Sequence, residues 1–290
     1  MDPNMISTIS VIGAGTMGRQ IALLAAISGF RTNCIDNNPG QVEDARAFTI
    51  SYLQGRVDKG RLTDEQAQQA GSRLHFASDF VEALKETDFV IEAAVEKLEV
   101  KRELFSQLDR YCPKHAILAT NSSYIVSSRI ADATGRPEKV CNMHFFNPAL
   151  VMKCVEVVKG VHTSEETAQV AVGLARRLNK EPVLLNKEIY GFLVNRIFSS
   201  ITSEALYLID MGIASPEDID SAVVNALGHP MGPCRLMDMN GLDFAYIRRM
   251  ERYRETDDPA DKPAVILVEK YARGEWGKKT GKGFFEYEKE

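Results

Sequence analysis

Ile9-Ser10-Val11-Ile12-Gly13-Ala14-Gly15-Thr16-Met17-Gly18 is the stretch that decides the fold. A short apolar run of strand character enters G-x-G-x-x-G, and Arg19 to Ser28 continues with helical spacing, the strand, turn and helix order that a dinucleotide fingerprint requires. Gly13 suits the tight turn, Gly15 lets the backbone approach a pyrophosphate, and Gly18 lets helix and strand pack closely. The loop Gly13, Gly15, Thr16, Met17 and Gly18 is therefore the expected phosphate cradle at a helix N-terminus. A second strand, Thr32 to Ile35, ends in Asp36, eighteen residues after Gly18. A carboxylate there accepts hydrogen bonds from ribose hydroxyls and repels a 2′-phosphate, and Asn37 and Asn38 supply no arginine, so NAD is expected rather than NADP.

Outward from this loop, short β-branched runs alternate with helical patterns as far as Asn186, the signature of parallel strands joined by helices. Strands are expected at Ile9–Ile12, Thr32–Asp36, Leu74–Phe76, Phe89–Ala93, Ala116–Thr120, Val140–Phe145, Cys154–Val158 and Pro182–Leu185, with helices such as Met17–Ser28, Gln41–Lys59, Val100–Arg110 and Glu165–Leu178 between them. Beyond Asn186 the text turns helical, over Phe192–Met211, Pro216–Leu227, Leu242–Tyr253 and Pro263–Ala272. The expected fold class is α/β: a Rossmann-type dinucleotide-binding domain over 5–186, then an all-helical C-terminal domain over 187–290. The four residues before Met5 are left outside that expectation.

With 290 residues the chain is long enough to bury a substantial core. Its 35 basic and 40 acidic residues leave a net charge of −5, and no Lys/Arg-rich run offers nucleic acid a local footing. The longest apolar run, Ile21 to Ile27, is far below the roughly 20 residues of a membrane span. Five widely spaced cysteines without C-x-x-C fit reduced thiols, no metal site and a cytoplasmic location.

Dehydrogenation of an alcohol needs a group to take the hydroxyl proton as hydride leaves, and histidine is suited by its near-neutral pKa. His75, His115, His162 and His229 have no acidic partner at a suggestive spacing. His144 closes the strand Val140–Phe145 at the edge where open α/β sheets place their ligand crevice. If the chain doubles back after Asn147-Pro148-Ala149, Glu156 reaches the imidazole; a core histidine and a strand-face glutamate are the plainer alternative. A carboxylate among Val155, Val157 and Val158 nonetheless demands a partner. Asn121-Ser122-Ser123 ends another strand on the same rim, where a hydroxyl either meets substrate or caps a helix.

Together Gly13–Gly18, Glu96, Lys101, Asn121-Ser122-Ser123, His144-Phe145-Phe146-Asn147-Pro148, Glu156, Gly191-Phe192-Leu193-Val194-Asn195-Arg196, Met231-Gly232-Pro233 and Gly277-Lys278-Lys279-Thr280-Gly281-Lys282-Gly283 resemble 3-hydroxyacyl-CoA dehydrogenase over essentially the whole chain. The single-function bacterial members acting on 3-hydroxybutyryl-CoA are nearest in length. The resemblance implies an enzyme that oxidises an (S)-3-hydroxyacyl-CoA reversibly with NAD, with His144 as base, Glu156 as its orienting acid, and Ser123 and Asn195 on the substrate oxygen. It further implies Glu96 and Lys101 near the nicotinamide ribose, Asn147 lining the cofactor and substrate site, Lys279 approaching the cofactor, and Lys59, in the cluster Arg56, Lys59 and Arg61, toward the acyl-CoA. It also implies a homodimer through the helical domain, with Phe198, Leu206, Tyr207 and Leu208 as its apolar surface. Rival readings are a CoA-independent dehydrogenase of L-gulonate or carnitine type and a non-catalytic, crystallin-like NAD-binding protein.

Overall fold

A computed structural model describes residues 2–288 and divides into two compact units, up to Leu193 and from Val194 onward. The first unit alternates strands and helices: β1 (Thr8–Ile12), α1 (Thr16–Ile27), β2 (Arg31–Ile35), α2 (Pro39–Asp58), α3 (Asp64–Arg73), β3 (Leu74–Ala77), α4 (Phe80–Leu84), β4 (Phe89–Glu92), α5 (Leu98–Tyr111), β5 (Ile117–Thr120), β6 (Val140–Phe145), β7 (Cys154–Val158), α6 (Glu165–Arg177) and β8 (Glu181–Leu185). They build one sheet in the order β3-β2-β1-β4-β5-β6-β7-β8, parallel throughout except between β6 and β7. The central strands β1, β4 and β5 are buried along their whole length, as expected of strands covered on both faces, whereas edge strand β8 is partly exposed.

This order places a switch point between β1 and β4, where successive connections leave in opposite directions; such crevices are where open α/β sheets bind ligands. Two helices of this unit were not expected from the sequence, and one expected helix starts later than its periodicity suggests. Helix α3, absent from the sequence reading, is so polar that only Ala70 is buried, yet Thr63 and Gln66 close a capping box at its start. Asp79 caps the short α4. The helix expected from Phe192 begins at Val194, because Gly191 and Phe192 take left-handed backbone angles, φ 75° and 49°.

Asp2, Pro3 and Asn4, set aside in the sequence reading, belong to this unit. Asp2 caps a 3-10 turn over Pro3–Met5, and the Arg177 guanidinium donates to the carbonyls of Pro3 and Ile6 at 2.5 and 2.8 Å. Gly173 on α6 leaves the room into which Pro3 packs.

The second unit holds α7 (Val194–Asp210), α8 (Pro216–Leu227), α9 (Pro233–Asn240), α10 (Leu242–Thr256) and α11 (Val265–Ala272) around Ala205, Leu206, Ile219, Cys234, Met237, Leu242 and Leu267. Asp220 reaches from α8 to accept the Cys234 and Arg235 N–H groups, satisfying the N-terminus of α9 that Gly232 leaves without a side-chain cap. Asp238, almost fully buried, accepts from the N–H groups of Phe284 and Phe285 and from the Tyr287 hydroxyl, and burial pushes its carboxyl up. Among the residues expected to form an apolar surface, Leu206 is instead 1% exposed in the core; Phe198 and Leu208 pack against that core, and Tyr207 stays 53% exposed.

Among the described residues no helix is long and apolar enough to cross a membrane, and no group of three or more His, Cys, Asp or Glu is placed to hold a metal ion. All five cysteines are free. Burial pushes the thiols of Cys34, Cys112 and Cys141 up to about 12.

Candidate active site

Two neighbouring strands create the central pair. Strands β6 and β7 are antiparallel, and the register sets His144 directly opposite Glu156. Directly opposed side chains share a face, so the pairing itself delivers the carboxylate to the imidazole. Glu156 Oε2 lies 2.8 Å from His144 Nδ1, and the other imidazole nitrogen, Nε2, lies 3.0 Å from Ser123 Oγ. An ionised carboxylate only accepts, which puts a proton on Nδ1 and leaves Nε2 a basic lone pair toward which Ser123 donates. His144 is 4% exposed and Glu156 not at all. The rings of Phe146 and Phe192 lie 4.6 and 5.5 Å from the imidazole and close its sides.

The serine doublet separates by geometry. Ser122 Oγ accepts from the Ile125 N–H at 2.8 Å and donates to Glu96, while Ser123 faces His144. Asn121 Oδ1 accepts from the Phe145 N–H at 2.8 Å, tying the ends of β5 and β6 into one rim.

Sequence reasoning missed the other half of Glu156. Its Oε1 accepts from the Leu193 N–H at 3.0 Å, so this one carboxylate holds both the imidazole and the strap Gly191-Phe192-Leu193. A phenylalanine with φ 49°, wholly buried, is a costly conformation that persists only where its surroundings impose it. The apolar run Phe192-Leu193-Val194 gave no hint of this, because helical periodicity reads straight through it.

The glycine loop meets the demands of a dinucleotide. A Cβ built on Gly15 would meet nothing of the protein within 4 Å, so the space above the loop is open to a ligand. Helix α1 has no side-chain cap, which leaves its first N–H groups to an anion. Asp36 Oδ2 accepts from the Ala14 N–H at 2.8 Å and Oδ1 from the Asn38 N–H at 2.9 Å, pinning the carboxylate beside the loop. Within the loop Thr16 is exposed, Met17 half-buried, and Gly13 and Gly18 buried.

Lys101 is anchored by two carboxylates. Its side chain is fully buried, and Nζ donates to both oxygens of the equally buried Glu92 at 2.7 and 2.9 Å, with Glu96 Oε2 at 3.4 Å. Lys101 thereby holds Glu96, whose side chain is 43% exposed, at the rim. Glu92 also accepts from Ala94 N–H and Thr120 Oγ. Its signal was a lone acid closing the apolar strand Phe89-Val90-Ile91. Lys101→Met would leave this buried carboxylate without its cation, so a loss of about 3–5 kcal/mol in unfolding free energy is expected from a urea titration.

Other residues singled out in the sequence have surroundings of their own. His115 does acquire an acidic partner, Asp88, at 2.9 Å, but half-exposed and far along the sequence from the glycine loop. Lys59 caps α2 and is exposed; in the turn before it, the Arg56 guanidinium sits 5.9 Å over the Tyr52 ring. In the second unit Asn195 is half-buried in the first turn of α7, and Lys279 Nζ lies 2.6 Å from Asp243 Oδ2 and 5.5 Å over the Trp276 ring.

Comparisons with known proteins agree along the chain. Residues 8–189 match the family model of the 3-hydroxyacyl-CoA dehydrogenase NAD binding domain, and residues 191–287 that of its C-terminal domain. A probable 3-hydroxybutyryl-CoA dehydrogenase of Bacillus subtilis is 39% identical over 98% of both chains. The human mitochondrial hydroxyacyl-coenzyme A dehydrogenase is 36% identical over 98% of this chain and 92% of its own. The crystal structure of (S)-3-hydroxybutyryl-CoA dehydrogenase from Ralstonia eutropha superposes with a TM-score of 0.91 at 36% identity, covering 98% of this chain and 100% of that one.

Proposed function

The chain belongs to the 3-hydroxyacyl-CoA dehydrogenase family, and from that premise we propose that it oxidises (S)-3-hydroxyacyl-CoA reversibly to 3-ketoacyl-CoA with NAD, acting on the short-chain 3-hydroxybutyryl ester. The observation that carries the reading is the line Ser123, His144, Glu156 on the strand rim. His144 Nε2 takes the C3 hydroxyl proton during oxidation and returns it during reduction. Glu156 holds the ring in the tautomer that leaves Nε2 free, and its charge steadies the imidazolium that forms. Ser123 polarises the same oxygen. Phe146 and Phe192 limit water around the base.

When bound, NAD supplies the hydride acceptor at the substrate carbon. The residues that would hold it are Gly13, Gly15, Thr16, Met17 and Gly18 at the pyrophosphate, Asp36 at the adenosine ribose, and Glu96, steadied by Lys101, with Asn147 at the nicotinamide end. The family resemblance adds Asn195 to the substrate oxygen and Lys279 to the cofactor. On this reading 5–186 is the NAD-binding domain and 187–290 the substrate and dimerisation domain.

An acidic chain binding a polyanionic ester needs local cations. Lys59, with Arg56 and Arg61 beside it, is assigned to the acyl-CoA phosphates. Lys59→Ala is expected to raise KM for acetoacetyl-CoA several-fold at unchanged kcat, and to weaken its salt dependence. The whole reading is tested by NADH consumption with acetoacetyl-CoA, set beside free acetoacetate, gulonate and carnitine. NADH binding without turnover of the CoA ester would sink it. A homodimer is assigned to the second unit, where Ile197, Tyr207, Met211 and Ile213 are more than half exposed; sedimentation equilibrium reads it directly. We place the protein in the cytoplasm, where free cysteines stay reduced.

A further inference from the structure

Gln20 lies in α1, two residues beyond the glycine loop, and is only 6% exposed. Its Nε2 donates to the Thr16 carbonyl at 2.9 Å and to Asn147 Oδ1 at 3.3 Å. An amide nitrogen carries two hydrogens, and here both are used. A backbone carbonyl can only accept, so Thr16 dictates which end of the Gln20 amide faces it. The same logic passes to Asn147: opposite an N–H it must present its oxygen, which turns its own Nδ2 away from α1. No described residue accepts a hydrogen bond from that nitrogen, and Asn147 is exposed on the rim three residues beyond His144.

We propose that Gln20 is a positioning residue for the reaction: it orients Asn147 so that the site is offered an N–H donor, whose partner is a carbonyl oxygen of the bound reactants. This rests on the dehydrogenase reading above, which supplies two such oxygens, the nicotinamide carboxamide and the acyl thioester. Gln20 thereby joins the helix that begins at the phosphate loop to the turn that follows the base.

The test uses Gln20→Met, which keeps length and removes both donors, and Gln20→Glu, whose carboxylate draws in Asn147 Nδ2 and turns the carbonyl oxygen outward. NADH affinity is read by fluorescence without turnover, KM and kcat with acetoacetyl-CoA, and folding by the thermal midpoint. About a tenfold loss of NADH affinity identifies the carboxamide as partner, and an equal rise in KM for the ester identifies the thioester. Gln20→Glu loses more than Gln20→Met at a similar midpoint. Placed on Asn147→Ala, Gln20→Met costs nothing further, because the group it orients is gone. Fully additive losses, or no change in either affinity, overturn the proposal. If the CoA ester is not turned over at all but Gln20→Met still weakens NADH binding through Asn147, the dehydrogenase reading fails and the positioning role stands.

Discussion

Replacing His144 by glutamine is expected to lower kcat for acetoacetyl-CoA reduction by about 10²–10⁴-fold, the usual worth of a positioned acid or base. NADH affinity should stay within about twofold, because the phosphate loop and Asp36 make their own hydrogen bonds and none runs to His144. Glutamine retains an N–H able to donate to Glu156, so the buried carboxylate keeps a partner. Glu156 also remains tied to Leu193 N–H, which holds the strap in place. Loss of turnover at preserved folding and cofactor binding thus isolates proton transfer from structure. Turnover at the wild-type rate would remove His144 from the base role.

How far the site was legible depends on how local its causes are. The strand, glycine loop and helix sit in one stretch, and the acid that closes β2 follows at a fixed distance; each is a short-range consequence of backbone geometry. The partnership of His144 and Glu156 was open to the sequence only as a conditional, because it needs the register of two antiparallel strands. Ser122 and Ser123 were separable by spacing against a known family, and in the structure by which acceptor each hydroxyl reaches. The resemblance put Lys101 near the nicotinamide ribose, and nothing in the sequence announced that its side chain is fully buried, which only the arrival of Glu92 from a neighbouring strand makes tolerable. The left-handed turn at Phe192 was invisible because it conflicts with the local helical pattern and is imposed by tertiary contacts. The glycines of the closing Gly277 to Gly283 segment invite a ligand-binding interpretation. Yet Cβ atoms on Gly277 and Gly283 would fall 2.1 and 2.0 Å from Asp238 atoms, so those two are required by packing.

The three glycines of the phosphate loop should separate in the same way when each is replaced by alanine. A Cβ at Gly18 would lie 1.8 Å from the Gly13 carbonyl oxygen, a backbone atom that moves only with the loop itself. At Gly13 it would lie 2.6 Å from the Ala93 carbonyl, and the φ of 100° is itself unfavourable for any residue with a side chain. At Gly15 the Cβ meets no protein atom within 4 Å, and the φ of −65° suits alanine well. Gly18→Ala and Gly13→Ala are therefore expected to lower the thermal midpoint by several degrees as well as abolish measurable NADH binding. Gly15→Ala should keep the wild-type midpoint and still weaken NADH by about 100-fold, because the added methyl occupies the surface against which the pyrophosphate packs. Differential scanning calorimetry beside NADH titration distinguishes the cases. Gly15→Ala binding NADH normally would mean that the pyrophosphate does not approach this backbone, and the reading of the loop that follows β1 would fall.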